Sequence, residues 1–214
     1  AVNLRWLMPG QALPADTDVV ILPGSKATRA DLDILRKEGW DIDIHAHVRR
    51  GGRVVGLCAG FQMLGRVVRD PQGIEGPPGD TPGLGLLDIE TEIGGDKRLI
   101  ELSAKDGVSG CEVAGYEMHM GRTAGAGQEQ QSIVLEKTDG TTKHEGATSH
   151  HGRVMGGYLH GIFAGDAFRA HWLEQMGAKA GQLDFNARIE QALDDLAEHI
   201  EANLDLDALL ALAR

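Results

Sequence analysis

The segment from Arg53 to Gly65 limits the possible folds of this chain more than any other part of the sequence. It begins with a short apolar run, Val54 to Leu57, which is rich in β-branched residues, follows two glycines and therefore predicts a buried strand. After Cys58 the apolar residues recur at spacings of three and four, which predicts a helix that continues through Val67 and Val68. Cys58 therefore lies where a strand ends and a helix begins.

The residues around Cys58 are small enough to allow a sharp turn. At Gly56, Ala59 and Gly60 a larger side chain would crowd the strand or the helix. This is the geometry of a nucleophile elbow, which exposes the thiol and directs backbone N–H groups at an oxyanion, and we expect the helix N-terminus to lower the pKa of the thiol. A cysteine after an apolar run is usually a buried hydrophobe, but the glycine-rich surroundings favour a nucleophile.

A cysteine nucleophile needs a general base, and the chain has nine histidines. His119 and His160 are the candidates, because each lies in or after a β-like segment beside glycines. We favour His160, since residues 154–159 would carry it to the edge of a sheet and Gly161 leaves room for a reaction partner. A third, orienting group is usual in such sites, yet the positions after His160 are Gly161 and Ile162, without a carboxylate.

A Pro-Gly turn follows another predicted buried strand, Asp18 to Leu22. The carboxyl end of a parallel strand is where open α/β sheets build their binding sites. The N–H groups of Gly24 and Ser25 are candidates for holding an anion or an oxyanion, although a plain βα turn explains the same residues equally well.

The remaining pattern predicts an α/β fold with a helical C-terminal tail, in which Asp166 caps one helix and Asp184 starts another. A long Pro- and Gly-rich loop, of a kind that is often functional, is predicted at residues 70–83, and its part from Gly73 to Gly83 is expected to be free to move. The other predicted elements are strands at 2–7 and 85–92 and helices at 28–39 and 41–50.

Composition narrows the class of protein. A hydrophobic fraction of 42% with 7 prolines indicates a globular chain, and a net charge of −11 argues against nucleic acid or an anionic membrane as the main partner. Two cysteines, no signal peptide and no apolar run near the roughly 20 residues of a membrane span predict a soluble, cytoplasmic protein. His45 and His47 lie two apart on one helix and are poor metal co-ligands, so we expect no metal site.

Four motifs together resemble the glutamine amidotransferase domain of the cobyric acid synthase family, in the family's order and spacing, across roughly residues 16–175. They lie at residues 21–26, 56–65, 115–123 and 157–163. The resemblance implies a class I glutamine amidotransferase fold, with a flavodoxin-like sheet flanked by helices. It also implies that Cys58 attacks the side-chain amide of glutamine, that His160 acts as base and acid, and that ammonia is released. Members of this type lack the carboxylate two positions after the histidine, which fits Ile162.

The resemblance further implies the groups that surround the nucleophile. The oxyanion hole would come from the backbone N–H groups of Gly24 or Ser25 and of Ala59. Ala59 stands where glycine is common in the family, but only its N–H is needed. Gln62 matches the family position near bound glutamine.

Complete members of this family carry an ATP-binding synthetase domain ahead of the amidotransferase domain, and no G-x-x-x-x-G-K-[ST] phosphate loop occurs in this chain. We therefore expect ATP and Mg to act at a domain outside this chain. The ammonia would amidate carboxylates of a corrinoid, of the cobyrinic acid a,c-diamide type, in cobalamin biosynthesis. We predict an amidotransferase core at residues 1–165 that lacks its first strand, and C-terminal helices at 166–214 that pack on it or extend it.

Two other functions stay open. One is a different cysteine-elbow hydrolase or amidotransferase. A glutamine analogue that alkylates Cys58 would test this alternative, because a peptidase should not react with it. The other is a non-catalytic interaction domain that keeps an inactive elbow. The sequence also leaves open the roles of Glu117 and His119.

Overall fold

The computed structural model describes residues 2–95, 98–106, 109–128, 133–137, 142–179 and 184–212. The chain forms two compact units, residues 2–162 and residues 163–214. The boundary placed at residue 165 from the sequence stays a prediction. None of the described helices is long and apolar enough to cross a membrane.

The larger unit contains all of the described strands, three of the described α-helices and a 3-10 helix at Ala126–Gln128. In chain order the strands and α-helices are β1 (Val19–Leu22), α1 (Thr28–Lys37), α2 (Trp40–Arg49), β2 (Arg53–Leu57), α3 (Ala59–Leu64), β3 (Val67–Asp70), β4 (Gly79–Pro82), β5 (Glu90–Glu92), β6 (Arg98–Asp106), β7 (Glu112–His119), β8 (Arg122–Ala124), β9 (Ile133–Lys137), β10 (Thr142–Glu145), β11 (Ala147–Thr148), β12 (Val154–Gly157) and β13 (Leu159–His160). The smaller unit contains α4 (Asp166–Glu174), α5 (Phe185–Asn203) and α6 (Leu206–Leu212).

The sheet that positions the site has the strand order β1-β2-β12-β11. β2 pairs in parallel with β1 on one side and with β12 on the other, while β11 is antiparallel to β12. Leu22 lies opposite Gly56, and Leu57 lies opposite Gly157. The carboxyl ends of three strands therefore meet at one edge, where α/β proteins build their sites. This parallel sheet with helices confirms the predicted α/β class.

Two further sheets complete the larger unit, with strand orders β10-β9-β6-β7-β13 and β4-β3-β5-β8. The chain leaves the first sheet at Gly157 and joins the second at Leu159, so Tyr158 lies between the two. In β13, His160 pairs with Tyr116 of β7, and Leu159 pairs with Glu117. The strand predicted at residues 154–159 is thus two short strands in different sheets.

The core of the larger unit joins the sheet edge to the helices. Leu32 of α1, Val54 of β2 and Phe61 of α3 are fully buried in one apolar cluster. Leu32 and Leu35 share a face of α1 because residues three apart lie on the same side of a helix. Burying each such side chain contributes about 1.5–3 kcal/mol, so the core holds the elbow segment firmly between α1 and the sheet.

Three further predicted elements differ in the structure. The helix after Cys58 ends at Leu64, and Val67 and Val68 belong to β3, where Val68 lies between cross-strand partners on β4 and β5. No strand forms at residues 2–7, since no described strand pairs with them and Val2, Leu4 and Trp6 are exposed.

The predicted strand at 85–92 is reduced to β5. The N–H groups of Gly85 and Leu86 donate to the carbonyl oxygens of Gly65 and Leu64 instead of joining a ladder. The loop at 70–83 contains β4, which lies at the edge of its sheet, where Pro82 removes no ladder hydrogen bond.

In the smaller unit, Asp184 caps α5 as predicted, since its carboxylate accepts a 2.9 Å hydrogen bond from the N–H of Ala187. The predicted cap at Asp166 is one position late, because Gly165 is the N-cap and Asp166 is the first residue of α4.

Candidate active site

Cys58 adopts a backbone conformation that few side chains tolerate. It lies between β2 and α3 with φ 54° and ψ −111°, and no other non-glycine residue in the described ranges has a positive φ. Such a conformation costs on the order of 1–3 kcal/mol and persists only where the surrounding structure enforces it. The elbow predicted from the sequence is therefore present.

Neighbouring glycines enforce this turn. A Cβ atom on Gly60 would lie 2.0 Å from the carbonyl oxygen of Leu22, and one on Gly56 would lie 2.6 Å from the carbonyl oxygen of Gly60. The N–H of Gly60 donates to the carbonyl of Pro23 at 3.1 Å. The elbow is thus fixed against the turn that follows β1, and no larger residue fits at either glycine.

Gly24 lies between Cys58 and His160. A Cβ atom at position 24 would lie 3.5 Å from Cys58 Cβ and 3.7 Å from His160 Cε1. The structure therefore brings the predicted nucleophile and the predicted base, which are distant in sequence, to the same turn. Any side chain at position 24 would occupy the space beside them.

The imidazole of His160 lies between Gly24 and Tyr116. Its Nε2 is buried and has no hydrogen-bond partner among the described residues. One face of the ring stacks on Tyr116, with centroids 4.9 Å apart and planes at 5°. His119, the other candidate base, stacks instead on Tyr158, with ring centroids 3.6 Å apart and planes at 15°.

The two segments predicted to supply oxyanion donors meet at the elbow. The N–H of Ala59 forms a hydrogen bond with Cys58 that lowers the pKa of the thiol. The N–H groups of Gly24 and Ser25 donate to no other backbone group among the described residues. The hydroxyl of Ser25 accepts a 2.9 Å hydrogen bond from the N–H of Ala27, so this side chain orders the start of α1.

Gln62, predicted to lie near the substrate, is buried and fully hydrogen-bonded within the protein. Its Oε1 accepts from the hydroxyl of Thr28 at 3.1 Å. Its Nε2 donates to the carbonyl of Met120 at 3.2 Å and to the phenol oxygen of Tyr158 at 3.1 Å. The amide thus joins α1, the elbow helix, the segment after β7 and the junction between two sheets.

The pKa of Cys58 is raised above its ordinary value of 9.0, because burial disfavours the thiolate and the charge of Glu75 adds to this effect. The N–H of Ala59 opposes both and does not outweigh them. The N–H at the helix N-terminus therefore lowers the thiol pKa as predicted, but burial outweighs it and the net shift is upward. α3 has only six residues, so its dipole is small. The thiol donates to the carbonyl of Met118 at 3.6 Å.

Glu75 is a site residue that the sequence did not reveal. Its carboxylate accepts from the N–H of Arg29 at 3.3 Å and lies 3.0 Å from the hydroxyl of Thr28, whose one proton is shared with Gln62. Burial nevertheless raises its pKa, and the charge of Asp70 raises it further. An acidic residue inside a Pro- and Gly-rich segment was the available signal, but its approach to Cys58 depends on how the loop folds.

Asp70 anchors this loop, contrary to the prediction of a freely moving segment. Its buried carboxylate accepts 2.8 Å hydrogen bonds from the N–H groups of Ile74 and Glu75 and lies 3.6 Å from the guanidinium of Arg29. Arg29 in turn donates to the hydroxyl of Thr81 at 2.9 Å. These contacts hold Glu75 on the side of the loop that faces α1.

Comparison with known proteins gives the family. Residues 1–168 match the family described as the CobB/CobQ-like glutamine amidotransferase domain. The chain is 54% identical to cobyric acid synthase of Paracoccus denitrificans over 214 residues, which are 100% of this chain and 43% of that protein. The cobyric acid synthase of Rhodobacter capsulatus is also 54% identical, over 213 residues and the same shares of each chain. The chain therefore spans less than half the length of these curated relatives.

A solved structure supports the fold. PurLQS from Thermotoga maritima matches 78% of this chain and 83% of that chain, with 17% sequence identity and a TM-score of 0.52. The family match covers the elbow, the turn at Gly24 and the strand that carries His160. The chain belongs to the family of CobB/CobQ-like glutamine amidotransferase domains.

Proposed function

We propose that this chain hydrolyses the side-chain amide of glutamine, with Cys58 as nucleophile and His160 as general base and acid. The observation that carries the proposal is the position of both residues around Gly24, at the end of three parallel strands. The strained conformation of Cys58 also favours catalysis over an inactive elbow, because a residue without a reaction to perform gains nothing from the strain.

The reaction begins with a proton transfer. Because burial raises the pKa of Cys58, the thiol is largely protonated at neutral pH and requires a base. His160 accepts the proton, and Nε2 is the ring atom without a partner among the described residues. The thiolate then attacks the amide carbon of glutamine and forms a tetrahedral intermediate with a negatively charged oxygen.

Backbone donors stabilise that oxygen. The N–H of Ala59 and an N–H of Gly24 or Ser25 flank the nucleophile, and one such donor is worth about 10²–10³ in kcat. His160 then gives its proton to the departing nitrogen, so ammonia leaves and a thioester remains on Cys58. Water, deprotonated by His160, hydrolyses the thioester to glutamate and regenerates the thiol.

The use of the ammonia is also a proposal. The matched relatives are named cobyric acid synthase and are more than twice as long as this chain. We infer that a synthetase domain binds ATP and Mg and passes the ammonia to side-chain carboxylates of a corrinoid of the cobyrinic acid a,c-diamide type. The free thiols of Cys58 and Cys111 suit a reducing compartment and support a cytoplasmic location.

A glutamine analogue with an electrophilic diazoketone in place of the amide tests the proposal. We expect it to alkylate Cys58, as mapped by mass spectrometry of the digested protein, while Cys111 stays unmodified and excess glutamine protects the site. The rate of glutamate release should fall in proportion to the fraction of Cys58 that is labelled. A chain that hydrolyses no glutamine and takes up no analogue would leave the non-catalytic alternative, whereas labelling that a peptide substrate prevents would favour another hydrolase.

A further inference from the structure

We propose that Tyr116 is the positioning residue for His160 and takes the role that a carboxylate usually has in orienting the catalytic histidine. This inference rests on the proposed function for its catalytic consequence, although the contact itself is independent of it. The two rings are nearly parallel, at 5°, with centroids 4.9 Å apart. A hydrogen-bonding carboxylate fixes one edge of an imidazole, whereas a stacked ring fixes its plane.

The backbone makes the stack possible. Tyr116 and His160 are direct partners in the antiparallel pairing of β7 with β13, so their side chains point to the same face of the sheet. β13 has only two residues and depends on this pairing for its position. Gly115 permits the close approach, because a Cβ atom there would lie 2.0 Å from the carbonyl oxygen of His160.

The sequence around His160 offers no alternative orienting group nearby. The position two residues later, where a carboxylate usually stands, is Ile162, which is buried. The ring atom Nε2 has no hydrogen-bond partner among the described residues. Stacking leaves that nitrogen free to exchange a proton with Cys58. The face of a phenol ring also attracts a cation, so Tyr116 favours the imidazolium that exists after the first proton transfer.

Tyr116 is suited to substitution because 39% of it is exposed. The informative variants are Tyr116→Phe, which keeps the ring, and Tyr116→Leu, which keeps apolar bulk and loses the ring. The matched control is Ile100→Ala, since Ile100 is 43% exposed on β6 of the same sheet and pairs with the neighbour of Tyr116, Glu117.

We expect Tyr116→Leu to lower kcat for glutamine hydrolysis by roughly 10- to 100-fold, the loss produced when a catalytic group is misplaced by about 1 Å. KM should change less than kcat, because the ring does not serve to bind substrate. Tyr116→Phe should retain nearly full activity, and so should Ile100→Ala. In a His160→Asn background, Tyr116→Leu should cause no further loss, because a positioning residue acts through the residue it positions.

A spectroscopic measurement separates this inference from the proposed function. In the ¹H–¹³C spectrum of the whole chain, the ring current of Tyr116 should shift the His160 ring protons upfield. The shift should be lost in Tyr116→Leu and kept in Tyr116→Phe. Equal shifts in all three proteins would overturn the stack even in an active enzyme. Three kinetic results would overturn the positioning role. They are a kcat of Tyr116→Leu equal to that of the parent, a Tyr116→Phe variant as slow as Tyr116→Leu, and a loss from Tyr116→Leu that adds to the loss from His160→Asn. A chain with the spectral effect but no glutaminase activity would refute the proposed function and the catalytic role together, and would leave only the contact.

Discussion

The amide nitrogen of Gln62 donates a 3.1 Å hydrogen bond to the phenol oxygen of Tyr158, and both side chains are buried. The phenol oxygen also shares a hydrogen bond with the hydroxyl of Thr123, which continues to that of Thr91. Burial raises the pKa of Tyr158, so the phenol remains neutral and can both donate and accept. A continuous set of hydrogen bonds therefore runs from the elbow helix into the sheet that contains β5 and β8.

Gln62→Met should destabilise the protein because it removes three hydrogen bonds from a buried side chain. We expect a loss of about 1–3 kcal/mol in the free energy of unfolding, since each such bond contributes about 0.5–1.5 kcal/mol and the partners Thr28 and Tyr158 keep their other hydrogen bonds. Urea unfolding measures it. Gln72→Met, in an exposed part of the loop after β3, serves as the control and should be neutral. Equal stability of both variants would show that the network contributes little.

Cys58→Ser should abolish glutamine hydrolysis, because a serine hydroxyl is a much weaker nucleophile than a thiolate at a site with one histidine. In the complete enzyme, amidation with added ammonia should remain, since the nucleophile is needed only to release ammonia. Cys111→Ala is the matched control and should be nearly silent, because Cys111 lies outside the elbow. Steady-state rates with glutamine and with ammonia decide it. Loss of both activities in Cys58→Ser would indicate a folding defect.

His160→Asn should slow glutamine hydrolysis by at least about 10²-fold, the lower range for general acid–base catalysis. His119→Asn should have a much smaller effect, because the structure places His119 against Tyr158 rather than beside Gly24. Circular dichroism should first show that both variants are folded, since both rings pack on tyrosines. A larger loss for the His119 variant would mean that the base has been assigned to the wrong strand end.

The elbow could be predicted because its requirements are local. A strand, a cysteine, small residues and a helix follow one another within the range from Arg53 to Leu64. The end of the helix could not be predicted, because Val67 and Val68 fit the apolar spacing of a helix although they belong to a strand. What decides their structure is pairing with Pro82 and Thr81 on β4, which no local pattern contains.

The pKa of the Cys58 thiol could not be predicted from the sequence for the same reason. The pKa of Cys58 depends on how deeply the thiol is buried and on Glu75, which lies in a different loop. A helix N-terminus can be read from sequence, but the amount of water around the sulfur cannot. The stack of Tyr116 on His160 likewise requires the register of β7 and β13, although the family motifs correctly brought both segments to attention.

Acid should weaken the fold through Asp70. Burial disfavours its charge, but the N–H groups of Ile74 and Glu75 and the charge of Arg29 outweigh burial and hold the pKa below its ordinary value of 3.8. A carboxyl whose pKa is lower in the folded state stabilises the protein above its unfolded pKa, and this contribution is lost as the pH falls through the folded pKa. Thermal unfolding should therefore shift to lower temperature below about pH 4.

Asp70→Asn should have a lower Tm than the parent at pH 7 and a smaller further loss on acidification. Asp80→Asn is the control, because Asp80 is exposed on β4 and pairs with Arg69 at the surface. Parallel acid curves for the parent and Asp70→Asn would show that other carboxyl groups cause the loss.

Glu75→Gln should make Cys58 more acidic. The negative charge of Glu75 disfavours the thiolate and so raises the thiol pKa; removing the charge lowers that pKa, and alkylation by iodoacetamide should then reach half its maximal rate at a lower pH. Asp80→Asn is the control, because it removes one charge from the same segment and Asp80 is not among the groups that shift the pKa of Cys58. The pH at which alkylation of this variant reaches half its maximal rate should equal that of the parent. The measurement requires no glutamine, which separates the electrostatic effect from any loss of substrate binding. An unchanged midpoint in Glu75→Gln would show that burial alone sets the acidity of Cys58. A midpoint shifted upward would mean that Glu75 helps to form the thiolate, opposite to the effect of its charge.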